Sequence, residues 1–509
     1  MKNLPIGIQT LSEIVNRNCI YVDKTETIHH LLEGKYYFLS RPRRFGKSLL
    51  VDTLKQIFLG NKKLFKGFWI EEKIDWAVHP VIHIDMSGSG YKSNGLPEAL
   101  KSIINREAAK YGVILSSGAY DQMFRELVEK LFERGPVVVL IDEYDKPIID
   151  YLEDIPQAIE NREILKNFYS VIKPLDSFLH FVFLTGVSKF SHVSIFSDLN
   201  NLRDITISPQ FACLLGITPR EIETFFSEYL DKWQAQSGGR EELLSSIKRW
   251  YNGYSWDGLN FVSNPFSLIN FFADGQFRNF WFRTGTPTFL TKLVKSLNAN
   301  VAELENLTVN ARVLDKFEID RIDLISVLFQ TGYLTIKAEK SGLLILDYPN
   351  LEVRESWYEM LLAMLNENPA YENESILQRM KVAIATGDTE MFMALISSLF
   401  TSLTYQQIEK KENYFHSIFY LAIKMLGFET HCEVLTSFGR IDVVIDAGRF
   451  LYIVEFKLGA AQEALDQIKN KRYADKYNDS AKRRILLGIG FDADKRTVGS
   501  WLAEELNRK

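Results

Sequence analysis

The chain has 509 residues, 46% hydrophobic and 25% charged, a composition that suits a soluble globular protein of about three folding units. Its 60 basic residues nearly balance 65 acidic ones for a formal charge of −5, so any DNA or RNA contact must come from a local basic surface. Cys19, Cys213 and Cys432 are isolated and show no CxxC spacing, against a zinc site or disulfide framework. The N-terminus does not read as a signal peptide, and no apolar window of about 18 residues occurs, so a cytoplasmic protein without a membrane span is expected.

The first 215 residues alternate apolar runs at Tyr36–Leu39, Val81–Ile84, Val137–Ile141 and Leu179–Leu184 with helical patterns such as Ser48–Phe58 and Tyr120–Phe132. That alternation predicts an α/β core with a parallel sheet covered by helices on both faces. After the first run comes Ser40-Arg41-Pro42-Arg43-Arg44-Phe45-Gly46-Lys47-Ser48 and then a helix, the strand-loop-helix context of a P-loop. Backbone N–H groups of Arg43, Arg44, Phe45 and Gly46 would cradle the phosphates of ATP at the helix start. Lys47 adds charge there, and Ser48 offers a hydroxyl to Mg²⁺. Arg41 stands where the first glycine of GxxxxGK[ST] belongs.

Val137–Ile141 ends in Asp142-Glu143, as a Walker B strand does. Asp142 would hold Mg²⁺ and Glu143 would polarise the attacking water. The run Leu179–Leu184 ends in Thr185-Gly186-Val187-Ser188-Lys189, where Thr185 or Ser188 is a candidate sensor of the γ-phosphate and a plain strand-end turn is the other reading. Arg203 is a candidate arginine finger by charge alone.

Residues 216–290 are helix-rich and aromatic and predict a helical lid. Residues 291–365 combine amphipathic helices with short β runs at Tyr333–Ile336 and Leu343–Leu346, a small winged-helix-like module. The polar stretch Asn366–Ser375 reads as a linker. Residues 376–509 form a last unit with strands at Val443–Ile445, Leu451–Phe456 and Arg484–Ile489.

Within that unit Gly439–Lys457 predicts a β-hairpin turning at Ala447-Gly448. With Asp446 opposite Arg449, Asp442 falls opposite Ile453 on the face that carries Glu455 and Lys457, and Asp442 and Glu455 become diagonal neighbours about 7–8 Å apart. Two carboxylates so placed can share a divalent cation, Mg²⁺ or Mn²⁺, with the Phe456 carbonyl as an extra ligand. Lys457 is placed to activate water or stabilise charge on a phosphate. Upstream, Glu412 opens a helix on the side of its apolar stripe and would complete the metal site. His416 reads as second shell or helix surface. Gln467 is a candidate orienting group, with Lys469, Lys471, Arg472 and Lys476 candidates for phosphate contact.

Two resemblances follow from these residues. Ile20-Tyr21-Val22-Asp23-Lys24-Thr25, the Arg-Pro-Arg-Arg-Phe-Gly-Lys-Ser loop and Leu140-Ile141-Asp142-Glu143-Tyr144-Asp145-Lys146-Pro147 resemble the bacterial AAA-ATPase-like family. The likeness continues through Leu215-Gly216-Ile217-Thr218, Tyr251-Asn252-Gly253-Tyr254 and Tyr348-Pro349-Asn350, almost the whole chain. It implies an AAA-type P-loop ATPase core, and Arg41 is part of the family's own loop. The set Glu412…Asp442…Glu455-x-Lys457 resembles the PD-(D/E)xK nuclease superfamily, which implies Asp442, Glu455 and Lys457 as catalytic residues. The leading expectation is an ATP-regulated DNA endonuclease. AAA-type sites often lie between subunits, which leaves room for a homo-oligomer. The alternatives are a nucleotide-switched protein that holds nucleic acid or a partner without cleaving, and an ATPase unconnected with nucleases.

Overall fold

The computed structural model describes residues 1–189, 195, 196, 199, 201–281, 290, 293, 304–314, 323–365, 370–401, 412–436, 439–478, 480–495 and 497–506. They form two units, Met1–Phe289 with Asn306–Arg354 and Leu290–Glu305 with Glu355–Lys509.

In the first unit β1 (Tyr36–Ser40), β2 (Val81–Asp85), β3 (Val137–Asp142), β4 (Leu179–Gly186) and the short β5 (Arg203–Asp204) make one parallel sheet, in the order β2-β3-β4-β1-β5. Helices α1 (Lys47–Phe58), α2 (Leu96–Lys110), α3 (Tyr120–Phe132) and α4 (Ile155–Ser170) lie in the crossovers between the strands. Every residue of β1 and β3 is buried, which is why these strands read as unbroken apolar runs and not as an alternation. The registers Ser40↔Gly186 and Asp85↔Asp142 bring the carboxyl ends of the strands to one edge. In open α/β sheets that edge is where loops can converge on a ligand.

The lid follows as α5 (Pro219–Phe225), α6 (Ser227–Trp233), α7 (Arg240–Tyr251) and α8 (Pro265–Asp274). Thr218 and Glu221 form a capping box that starts α5 where the chain turns from α/β to helical. Ile222, Phe226, Leu230, Ile247, Leu268 and Phe272 are among its core, joined by Ile20 from the N-terminal segment. Between α7 and α8 run the paired β6 (Asn252–Tyr254) and β7 (Val262–Ser263). Next come β8 (Leu307–Val309), α9 (Leu324–Thr331), β9 (Thr335–Lys340) and β10 (Leu343–Asp347), with the strands ordered β8-β10-β9. This small helix-plus-sheet element belongs to the first unit through Arg354, whereas the sequence suggested a separate module over 291–365.

The division between the units falls inside α10 (Leu351–Leu365), not at the polar stretch 366–375. Residues 370–375 of that stretch open helix α11 (Ala370–Thr386), and 366–369 lie outside the described residues. Acidic side chains are at home in a first helical turn, so Glu372 and Glu374 after Pro369 mark a helix start as well as they mark a linker. At the head of α10 the buried Glu352 accepts hydrogen bonds from Ser267 Oγ (3.0 Å) and the Trp281 backbone N–H (2.9 Å).

The second unit continues with α12 (Thr389–Thr401), α13 (Glu412–Met425) and the sheet β11 (Glu429–Thr436), β12 (Gly439–Ala447), β13 (Phe450–Leu458), β14 (Arg483–Asp492) and β15 (Thr497–Leu506), ordered by sequence. Strands β11 to β13 are antiparallel, α14 (Ala461–Asn470) makes the crossover to the parallel β14, and β15 returns antiparallel. One face packs on α12 and α13 through Phe392, Phe415 and Phe419 against Tyr452, Phe456 and Phe491. The other packs on α14 through Val444, Ile453 and Leu486 with Leu465 and Ile468. No helix among the described residues is long and apolar enough to cross a membrane.

Candidate active sites

At the end of β1 the chain turns through Arg44 and Gly46, both at positive φ (68° and 91°), before α1 begins at Lys47. Gly46 suits this backbone because it lacks a Cβ, and the turn aims the first N–H groups of α1 at one point. Lys47 reaches back over the loop, its ammonium donating to the carbonyl oxygens of Arg41 and Pro42, each at 3.0 Å. Burial lowers its pKa, and the charges of Asp142, Glu143 and Asp145 oppose that shift. Asp142 is buried at the end of β3, is hydrogen-bonded to Ser48, and has its pKa raised by burial. Glu143 follows at positive φ (51°), half-buried, with its pKa also raised by burial.

Arg41 points away from this cradle. Its guanidinium donates to the carbonyls of Ser40 (3.0 Å), Thr206 (2.6 Å) and Phe211 (3.3 Å) and stacks 3.9 Å from the Trp256 ring. Only 1% of it is exposed, and burial brings its pKa down to about 9. Phe45 is likewise a core residue, edge-on to Tyr254 and Trp256. Arg44 lies over the Phe266 ring at 3.9 Å, and Arg43 lends its carbonyl to Trp281 Nε1 at 3.4 Å. Of the nominated loop residues, only Lys47 and Ser48 are placed by these contacts with their side chains toward the acidic strand end.

The two sensor candidates separate. Ser188 is engaged by Asp145, whose Oδ2 accepts its hydroxyl (2.6 Å), its N–H (2.6 Å) and the Val187 N–H (3.0 Å). Thr185 is fully buried at the end of β4, and its hydroxyl has no hydrogen-bond partner among the described residues. Arg203 pairs in register with Tyr37, its guanidinium against the rings of Tyr37 and Phe211, away from the loop.

In the second unit the hairpin register differs from expectation by two residues. Ala447 pairs with Phe450 and Val443 with Val454, so the turn is Gly448-Arg449, and Asp442 and Glu455 follow just beyond the last paired residues. Gly448 supplies the positive φ (74°) that such a turn needs. A shift of two preserves side-chain parity, so the acidic pair keeps its common face. Asp442 Oδ2 accepts the Phe456 N–H at 2.9 Å and lies 3.8 Å from His416 Nε2. Glu455 is 2% exposed; its Oε1 meets Gln467 Nε2 and stands 3.7 Å from Lys457 Nζ. Glu455 Oε2 is buried without a hydrogen-bond partner among the described residues, and burial together with the charge of Asp442 pushes the carboxyl pKa up to about 8.

His416 packs on the Phe456 ring, and burial, then Lys457 and Arg440, bring its pKa down to about 4. Glu412 begins α13, but its side chain lies outside the described residues. Three of the four cations expected to meet phosphates have partners inside the chain. Lys469 pairs with Glu504, Arg472 with Asp475, and Lys476 donates to the Leu435 carbonyl. Two neighbouring carboxylates, one with a buried oxygen that has no hydrogen-bond partner among the described residues, fit a hard divalent ion beside a lysine.

A family model described as "Predicted AAA-ATPase" matches residues 5–196, and one described as "PD-(D/E)XK nuclease superfamily" matches residues 410–501. A relative from Azotobacter chroococcum mcd 1, "Uncharacterized protein in vnfD 5'region", is 38% identical over 523 residues, 99% of either chain. The chain belongs to this AAA-ATPase-like family. Its C-terminal domain is of the PD-(D/E)XK nuclease superfamily. No solved structure matches.

Sequence reasoning missed one feature of the AAA-ATPase-like domain. An apolar pocket opens beside the P-loop, lined by Tyr21, Val22, Phe45, Leu49, Leu215 and Ile217 among others, with Gly46 and Lys24 at its wall. Its apolar lining suits a flat, largely apolar group. Ion pairing of Lys24 with Glu221 at 2.6 Å ties the N-terminal wall to α5. Gly216 brings the opposite wall close to β7, since a Cβ there would fall 2.5 Å from Val262 Cγ2. The blocks Ile20–Thr25 and Leu215–Thr218 were visible in the sequence as family blocks. Nothing local distinguished them from core.

Proposed function

We propose that the chain is an ATP-hydrolysing enzyme whose C-terminal domain cleaves phosphodiester bonds in DNA with the help of a divalent metal. For the ATPase, the adenine lies in the apolar pocket between Tyr21–Val22 and Leu215–Ile217. Phosphates take the place of the Arg41 and Pro42 carbonyls at Lys47, and Ser48 and Asp142 hold Mg²⁺. Glu143 orients the attacking water, and Thr185 supplies a hydroxyl to the terminal phosphate. For the nuclease, Asp442 and Glu455 hold Mg²⁺ or Mn²⁺, with Glu412 from α13 as a further ligand. The ion supplies Lewis-acid stabilisation of the scissile phosphate. Lys457, level with Glu455 on the same face of β13, assists deprotonation of the attacking water and offsets charge on the phosphate.

The observation that carries the nuclease reading is Glu455 Oε2, buried beside a second carboxylate and without a hydrogen-bond partner among the described residues. A buried carboxylate left half-satisfied is costly unless something else occupies it. The test is incubation of linear and circular DNA, and of RNA, with Mg²⁺ or Mn²⁺, using the wild type beside Lys457→Ala and Asp442→Ala. Cleavage by the wild type that both variants lose supports the proposal, and equal cleavage by all three sinks it. A second reading, a nucleotide-switched protein that holds a partner without cleaving, draws on the internal pairing of Lys469, Arg472 and Lys476. Absence of cleavage across metals and substrates, with ATP turnover intact, would favour it.

A further inference from the structure

Asp145 follows Glu143 by two residues in the loop after β3, and only 1% of it is exposed. Its Oδ2 gathers three donors from the end of β4: the Val187 N–H, the Ser188 N–H and the Ser188 hydroxyl. Its Oδ1 lies against Gly186, where an added Cβ would fall 2.5 Å from it. Tyr144 repeats the link, donating its N–H to the Thr185 carbonyl at 3.1 Å and its hydroxyl to the Ser188 carbonyl at 2.9 Å. The start of the P-loop joins the same turn. Ser40 Oγ donates to the Val187 carbonyl (2.6 Å) and the Arg41 N–H to the Gly186 carbonyl (3.2 Å). Thr185 heads this turn, its hydroxyl without a hydrogen-bond partner among the described residues, and Glu143 stands in the facing loop at positive φ (51°).

We infer that Asp145 is a positioning residue of the ATPase: through the turn Thr185–Ser188 it holds the Thr185 hydroxyl in register with the Glu143 carboxylate, so that terminal phosphate and attacking water are met together. The inference rests on the ATPase reading of the same site and adds a residue that touches neither nucleotide nor water. A buried carboxylate is a poor way to stabilise a fold, because leaving water costs about as much as its new hydrogen bonds return. Burial raises its pKa, against the Ser188 hydrogen bonds and the charge of Lys47. What three donors on one oxygen supply is a single fixed geometry between two strand ends. Such fixing acts on rate, since a misplacement of about 1 Å at the reacting groups can cost roughly 100-fold. A carboxylate that only plugged the core would act on stability and leave the chemical step alone.

The test uses the full chain with Mg²⁺ and ATP, in the wild type, Asp145→Asn, Thr185→Val and the double variant. Phosphate release gives kcat, and calorimetry gives the affinity for ADP. Asparagine keeps the shape and an acceptor oxygen and loses the charge. The expected result is a kcat lower by about ten-fold or more in Asp145→Asn, with affinity for ADP, which lacks the terminal phosphate, within about two-fold of wild type. Because Asp145 acts through Thr185, Asp145→Asn should cost little further in the Thr185→Val background. Should thermal melts show that Asp145→Asn does not fold, Ser188→Ala removes one donor and leaves the carboxylate. It should show a smaller loss of kcat that also vanishes beside Thr185→Val. Unchanged kcat, a matching fall in ADP affinity, or a loss of equal size in both backgrounds overturns the positioning role and leaves the ATP site standing. So does a Thr185→Val variant that turns over like the wild type. A wild type that releases no phosphate from ATP overturns the ATPase reading and the inference together.

Discussion

The guanidinium of Arg41 lies 3.9 Å from the centre of the Trp256 ring, turned out of the phosphate loop that its backbone begins. The residue that departs from the usual P-loop glycine therefore belongs to the body of the domain. Arg41→Gly, which restores the familiar motif, should not improve nucleotide binding. It removes a stacked cation and three carbonyl contacts, and should destabilise the first unit by about 2–4 kcal/mol. Urea unfolding with and without ATP checks this; unchanged stability would show that the contacts contribute nothing.

Lys47→Ala should lose ATP affinity or turnover by roughly 100-fold. Glu143→Gln should keep binding and lose hydrolysis by roughly 100-fold or more. A fluorescent ATP analogue and a phosphate-release assay read the two effects separately.

Thr185→Val is close to isosteric, and the hydroxyl that it removes bonds to nothing among the described residues. Stability should therefore hold or rise slightly. If the hydroxyl meets the terminal phosphate, kcat should fall while affinity for ADP stays unchanged. Equal turnover by variant and wild type would remove Thr185 from the site.

Glu352 gives the first unit a pH signature. Burial raises its carboxyl pKa from 4.5 to about 7, so between those values the unfolded chain ionises while the folded one stays protonated. Stability from this group is present below about pH 4.5 and is lost as pH rises through about 7, by at most about 1.4 kcal/mol per pH unit. Glu352→Gln keeps an oxygen for Ser267 and Trp281 and should flatten that part of the profile. Thermal midpoints of wild type and variant across pH 5 to 8 should therefore diverge toward high pH, with the variant more stable. Parallel profiles would refute it.

The strands of the first sheet were legible because parallel strands covered on both faces announce themselves as apolar runs, and β1 and β3 are buried throughout. The acidic face of the β12–β13 hairpin was legible through parity alone. A turn placed at Ala447-Gly448 in place of Gly448-Arg449 slides the register by two and changes no face. The direction of Arg41 was not legible, since Thr206, Phe211 and Trp256 lie far along the chain. The pocket beside Gly46 was hidden for the same reason: its walls come from several distant, apolar segments that read as core. The start of α11 was misread as a linker because polar, acidic residues after a proline serve both purposes.

The most direct measurement is cleavage of labelled DNA in Mg²⁺ and Mn²⁺, with and without ATP, by the wild type, Lys47→Ala and Glu455→Ala. An ATP-regulated nuclease predicts metal-dependent cleavage that Glu455→Ala abolishes under every condition and whose ATP response Lys47→Ala removes. Cleavage that persists in Glu455→Ala, or an ATP response that persists in Lys47→Ala, would contradict it.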